Sequence, residues 1–186
     1  MNNTTRNMLR YHHWANETML TRLQELPASV FHEETLSSYP TLSATLGHMY
    51  VVDHMWYLVL TGTDMSAALE QSMPLLPLGS EWDLSQCSAR FEEQKQQYTE
   101  WIEQADLTQT MMLNNPYAGV RELALEEMVL QVVNHGTYHR GNMTTMLRQL
   151  GYPSVMNDYI LYLYQQSEPS PSGSLDSVRS SDCNPS

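Results

Sequence analysis

Two histidines four residues apart raise the question of chemistry in this chain. They are His135 and His139 in "VVNHGTYHRGN", residues 132–142. The apolar positions around them, Leu125, Met128, Val132, Met143, Met146 and Leu150, recur every three or four residues. That is the period of an amphipathic helix. At this spacing the two rings sit one turn apart on the core-facing side. Neutral imidazoles so placed can offer two nitrogens to one ion, at about 2.0–2.1 Å each for zinc. The bland alternative is a pair of hydrogen-bonded core histidines. Gly136 follows His135, and Gly141 follows Arg140. Each costs roughly 1 kcal/mol against alanine inside a helix, so close approach by a neighbouring helix or a ligand is expected there.

A third imidazole comes from "TLGHMYVVDHMW", residues 45–56. His48 lies on the stripe Thr41, Thr45, His48, Val52 and Met55, and it too follows a glycine, Gly47. If the two helices pack together, His48 completes a three-histidine set. Three nitrogen ligands leave a position open for water or substrate, which is the pattern of a catalytic metal site. The expected place for it is one end of a helical bundle. Asp53 stands close enough in sequence to orient a histidine from behind; a surface role fits it equally. Asn134, Tyr138 and Arg140 adjoin the ligand pair and are candidates for contacting a ligand or substrate. His54, six residues after His48, points roughly 120° away around the helix and reads as a surface group. His12 and His13 are adjacent and diverge, and neither is expected to be a ligand. His32 reads as solvated.

Other chemistries lack their residues. Positions 136–138 are Gly, Thr and Tyr, so the glutamate base of an HExxH metalloprotease is missing. No ExxH supports a carboxylate di-iron centre, and there is no GxGxxG or GxxxxGK[ST] phosphate loop. Cys87 and Cys183 form no ligand spacing and have no paired histidine nearby. The 13 methionines fall mostly in helical segments and read as core filling.

These residues need helices to hold them. The first is expected over about 4–26, ending before Pro27. The second starts after Pro40, with Thr41 or Ser43 as cap, and stops near Gly62. Residues 62–81 carry Pro74, Pro77 and Gly79 and read as a long crossover, with a helical turn or two within 64–73. The third helix runs from Asp83 or Ser85 to about Ala105. A small hairpin is expected over 110–123, around Asn114, Asn115, Pro116 and Gly119. The fourth helix runs from about Ala124 to Leu150 and stops at Gly151. A short helix within 155–166 is expected to dock over one end. The fold class is therefore all-α: a four-helix bundle with a long crossover between helices 2 and 3 and a short C-terminal helix. One domain is expected over 1–166, followed by a disordered Ser/Pro-rich tail over 167–186.

The chain has 186 residues and a net charge of −12, from 21 acidic and 9 basic groups. Such a surface repels phosphate backbones and anionic lipid, so neither nucleic acid nor membrane is an expected partner. The most apolar stretch, 49–60, is short and holds Asp53 and His54, which excludes a membrane span. Without a cysteine framework or signal peptide, the cytoplasm is the expected compartment.

"YHHWAN" (11–16), "TLGHMYVVDHMW" (45–56) and "VVNHGTYHRGN" (132–142) together resemble the DinB/YfiT-like superfamily of small helical metal-dependent proteins. The resemblance covers about residues 4–165. Gln131 and Tyr138 stand where many members carry further histidines. The resemblance implies His48, His135 and His139 as ligands to a divalent metal ion, with nickel, zinc, iron or manganese as candidates. It also implies a homodimer. Its implied activity is a metal-dependent S-transfer from a low-molecular-weight thiol, or a hydrolysis, acting on a small electrophile. The alternative is a non-enzymatic metal-binding stress-response protein.

Overall fold

The computed structural model describes residues 3–166. The expected tail over 167–186, with Cys183, lies outside the described residues. The chain is mostly helical, with one two-stranded sheet. Helix α1 spans Asn3–Gln24 and α2 spans Leu42–Leu60. The N-terminus of α2 is set by Thr41, whose hydroxyl accepts from the Ala44 N–H at 3.1 Å. Beyond its C-terminus Gly62 adopts φ 102°, a left-handed turn that glycine makes without strain.

The crossover holds more helix than its prolines suggest. Helices α3 (Met65–Ser72) and α4 (Leu75–Glu81) fill it, and Pro77 and Gly79 both lie inside α4. Pro77 stands in the first turn, where its missing N–H has no intrahelical partner to lose. Gly79 is there for contact. A Cβ on Gly47 would lie 2.6 Å from the Gly79 carbonyl carbon, and one on Gly79 would lie 2.8 Å from the Gly47 Cα. Helices α2 and α4 therefore meet backbone to backbone, and Gly47 lets them.

Helix α5 (Leu84–Gln104) starts with a capping box. The Asp83 carboxylate accepts from the Gln86 N–H at 2.8 Å, and the Gln86 side chain accepts from the Asp83 N–H at 3.0 Å. Strands β1 (Thr110–Asn115) and β2 (Gly119–Ala124) pair antiparallel, as expected of that segment. Helix α6 (Leu125–Gln149) ends before Gly151 at φ 83°. Helix α7 (Tyr159–Gln166) lies along the flank of α1, not over an end. Tyr162 packs 5.6 Å from Trp14, and the Tyr11 hydroxyl donates to the Asn157 carbonyl at 3.0 Å.

Among the four long helices, α1 and α2 each pack against both α5 and α6. The space between them contains two large apolar clusters. One gathers Met19, Leu23, Leu42, Leu46, Met49, Met143, Met146 and Leu147. The other gathers Leu9, Met55, Val59, Tyr98, Ile102, Met128, Val129 and Val132. Between them, on three of the long helices, come polar residues. His12, His13 and Asn16 on α1, Asp53 on α2, and His139 and Arg140 on α6 are all buried. A polar layer thus crosses the core at mid-height. Among the described residues no helix is long and apolar enough to cross a membrane.

Candidate metal centre

His48, His135 and His139 meet at this level. The packing of α2 on α6 brings the first to the other two. The His135 Nε2 lies 3.1 Å from the His48 Nε2 and 3.1 Å from the His139 Nε2. One ligand nitrogen from each ring lies within 4.8 Å of the others. Three nitrogens each about 2.1 Å from one ion would stand about 3.4 Å apart in a tetrahedral arrangement and about 3.0 Å apart on an octahedral face. The two observed spacings fall between these values. The donor set also fits in charge. Burial lowers His48 and His135 to about 4 and pulls His139 below its ordinary value. All three rings are therefore neutral at pH 7, with lone pairs free to bind a cation.

The centre is not at one end of the helices, as the sequence suggested. His135 and His139 fall near the middle of the 25-residue α6, so they meet α2 within the polar layer. The glycines divide. Gly47 makes room for α4, and Gly136 makes room for a ring: a Cβ there would lie 2.4 Å from the His12 Cε1. Gly141 has nothing within 4 Å of the Cβ position, so no close approach requires it.

Behind the centre lies a buried network that spacing alone did not reveal. The His12 Nε2 is 2.8 Å from the Asp53 Oδ2 and 3.1 Å from the Asn16 Nδ2. Arg140 turns toward α1, where it donates to the Asn16 Oδ1 at 2.7 Å, and within α6 it donates to the Thr137 hydroxyl at 2.9 Å. Asp53 thus contacts His12 and not one of the three converging histidines. Burial drives its carboxyl up to about 7. Burial also holds His12 and His13 well below the ordinary histidine range. The signal for His12 and Asn16 was present: with Leu9, Leu20 and Leu23 they continue the α1 stripe at three and four. His54 is half-buried and stacks on Tyr50 with ring centroids 6.1 Å apart. His32 is exposed, as expected.

In front, the segment from Glu33 to Thr41 covers the centre. Tyr39 stacks on His48, with ring centroids 4.5 Å apart and planes at 27°. Nothing in the spacing marks Tyr39. Tyr138 is exposed and meets the His139 ring edge-on at 4.9 Å. The polar side chains of Ser38 and Asn142 beside its hydroxyl lower its pKa. Gln149 fastens the same segment: its Oε1 accepts from the Leu36 N–H at 3.0 Å and its Nε2 donates to the Leu36 carbonyl at 3.1 Å. Asn134 is exposed. The Cys87 thiol is buried in an apolar cluster and pushed up to about 12, so it is no nucleophile at neutral pH.

The family model for the DinB family matches residues 1–172. The chain is also similar to Protein DinB of Bacillus subtilis (strain 168). The two are 36% identical over 158 residues, which cover 84% of this chain and 92% of that protein. With its helical architecture and its converging histidines, the chain belongs to the DinB family.

Proposed function

We propose that the protein is a divalent-metal-dependent enzyme that transfers a low-molecular-weight thiol to a small electrophile, or hydrolyses such a substrate. The observation that carries this reading is the convergence of three neutral imidazole nitrogens on one point. His48, His135 and His139 would hold nickel, zinc, iron or manganese. When bound, such an ion supplies a Lewis acid that favours the thiolate or hydroxide form of its open-position ligand. The chain's own residues would do the rest. Tyr39 covers one side of the centre and narrows access to it, Tyr138 presents a hydroxyl at its rim, and Asp53 and Arg140 brace the layer behind. Asn134 stands at the exposed face of α6, where a substrate would arrive.

In this reading the four long helices form a four-helix bundle with a crossover between α2 and α5. Residues 1–166 are its single domain and the protein works in the cytoplasm as a homodimer on small molecules. A non-enzymatic metal-binding role is the second reading, favoured by the tyrosine stacked over His48.

Metal analysis of protein purified without an affinity tag tests the centre. About one equivalent of a transition metal is expected, lost in His135→Ala. Less than about a tenth of an equivalent, unchanged in that variant, overturns it. A panel of thiols with a chlorinated aromatic then separates the readings, because only the enzyme shows a metal-dependent rate.

A further inference from the structure

The buried network behind the histidines is left without a purpose by the metal reading alone. Its atoms point to one. The Asp53 Oδ1 and the His135 Nδ1 are both buried and both lack a hydrogen-bond partner among the described residues. One is an acceptor and the other, when the metal face of the ring is bare of protons, is a donor. A buried donor or acceptor left unpaired costs about 1–3 kcal/mol, so complementary orphans on facing helices demand an account. A histidine that binds metal through one nitrogen must carry its proton on the other, and an acceptor there fixes ring and tautomer together.

The surroundings place Asp53 for that task. His12 is wedged between Asp53 and α6. Its Nε2 meets the Asp53 Oδ2, while the adjoining Cε1–Nδ1 edge closes on Gly136, the residue after His135. Only a glycine at 136 admits the ring. Asp53 is also the one carboxylate whose charge acts on His135 and His139 in this structure, and of these two it acts more strongly on His135. One further constraint follows from the Asn16 contact. Arg140 holds the Asn16 carbonyl, so the amide nitrogen faces the His12 Nε2. That nitrogen can donate to Asp53 or accept from Asn16, not both.

We propose that Asp53 is the positioning residue for His135: its free carboxylate oxygen accepts from the His135 Nδ1–H through one buried water, and His12, admitted by Gly136, holds the carboxylate in place. This rests on the metal reading, since it assigns the Nε2 of His135 to the ion. His12 then earns its burial as a buttress rather than a ligand, and Gly136 is required by a side chain one helix away.

The test uses the full chain and Zn²⁺ in competition with a chromophoric chelator. Asp53→Asn keeps the size and removes the charge and one acceptor. It is expected to weaken zinc binding about 10–100-fold with the stoichiometry unchanged. Gly136→Ala is expected to weaken it through displaced His12. A second readout needs no variant. Long-range proton–nitrogen correlation spectra of the zinc-loaded wild type should show His135 protonated at Nδ1, with that proton protected from exchange. Asp53→Asn should expose the proton to faster exchange, which a merely structural role would not do selectively. A His135 that carries no protected Nδ1 proton overturns the proposal. So do affinities within about threefold of wild type for both variants. Failure of zinc to bind the wild type at all overturns the metal reading instead.

Discussion

At the residue scale, neutrality is what makes three adjacent histidines tolerable, and it has a sign. His48 and His135 titrate near 4 in the folded chain against 6.5 when free. Between those values the unfolded chain binds protons that the folded chain refuses. Stability therefore rises with pH through this window, is fully present above about 6.5 and is lost as pH falls toward 4. His12, His13 and His139 shift the same way. Asp53 opposes them. Raised to about 7 from 3.8, it retains a proton that the unfolded chain gives up, so its contribution falls as pH rises over that range. With His54, also lowered by burial, six histidines pull one way against one raised carboxyl. Urea midpoints of metal-free protein should thus climb from pH 4.5 to 6.5, and His48→Gln should flatten that climb; a midpoint falling over this range would contradict it. The three converging histidines were legible in the sequence because helical period fixes which face a residue takes. The roles of Asp53 and Arg140 were not. Both are buried, and which neighbour each one contacts is decided by α1, whose polar members His12 and Asn16 interrupt an otherwise apolar stripe.

At the element scale, the three glycines beside the histidines look alike in sequence and differ in the fold. Gly47 faces the Gly79 backbone, and Gly141 faces open space. Gly47→Ala must separate α2 from α4, since backbone atoms cannot swing aside like a rotamer. A loss of about 1–3 kcal/mol is expected, as for an overpacked core. Gly141→Ala meets nothing and removes unfolded-state freedom inside a helix, so it should gain about 0.5–1 kcal/mol. Denaturant titration of the two variants checks the pair, and equal effects would refute it. Helix limits were readable because caps are local: Thr41, Asp83, Gly62 and Gly151 act within a turn of themselves. Helix α4 was not readable. Pro77 and Gly79 argue against a helix locally, and the short helix that contains them is seated on α2 through a contact with a residue 32 positions earlier in the chain, Gly47.

At the scale of the whole molecule, the arrangement is a sandwich of two apolar clusters around a polar layer. The residues named in both clusters and in the layer all lie between Leu9 and Leu147. A chain ending at Gln166 should accordingly keep the melting midpoint and the metal stoichiometry of the full chain; loss of either would show that later residues belong to the domain. The hold of Gln149 on Leu36 has a consequence of a different kind. The segment it fastens carries Tyr39 across His48, while Gln149 itself sits three turns beyond His139 and touches none of the three rings. Cutting this clasp changes how often the cover lifts without changing what lies beneath it. Gln149→Ala should therefore speed the capture and the escape of a metal ion alike, and leave occupancy at equilibrium nearly the same. Stopped-flow exchange against a chelator would read the difference as residence time.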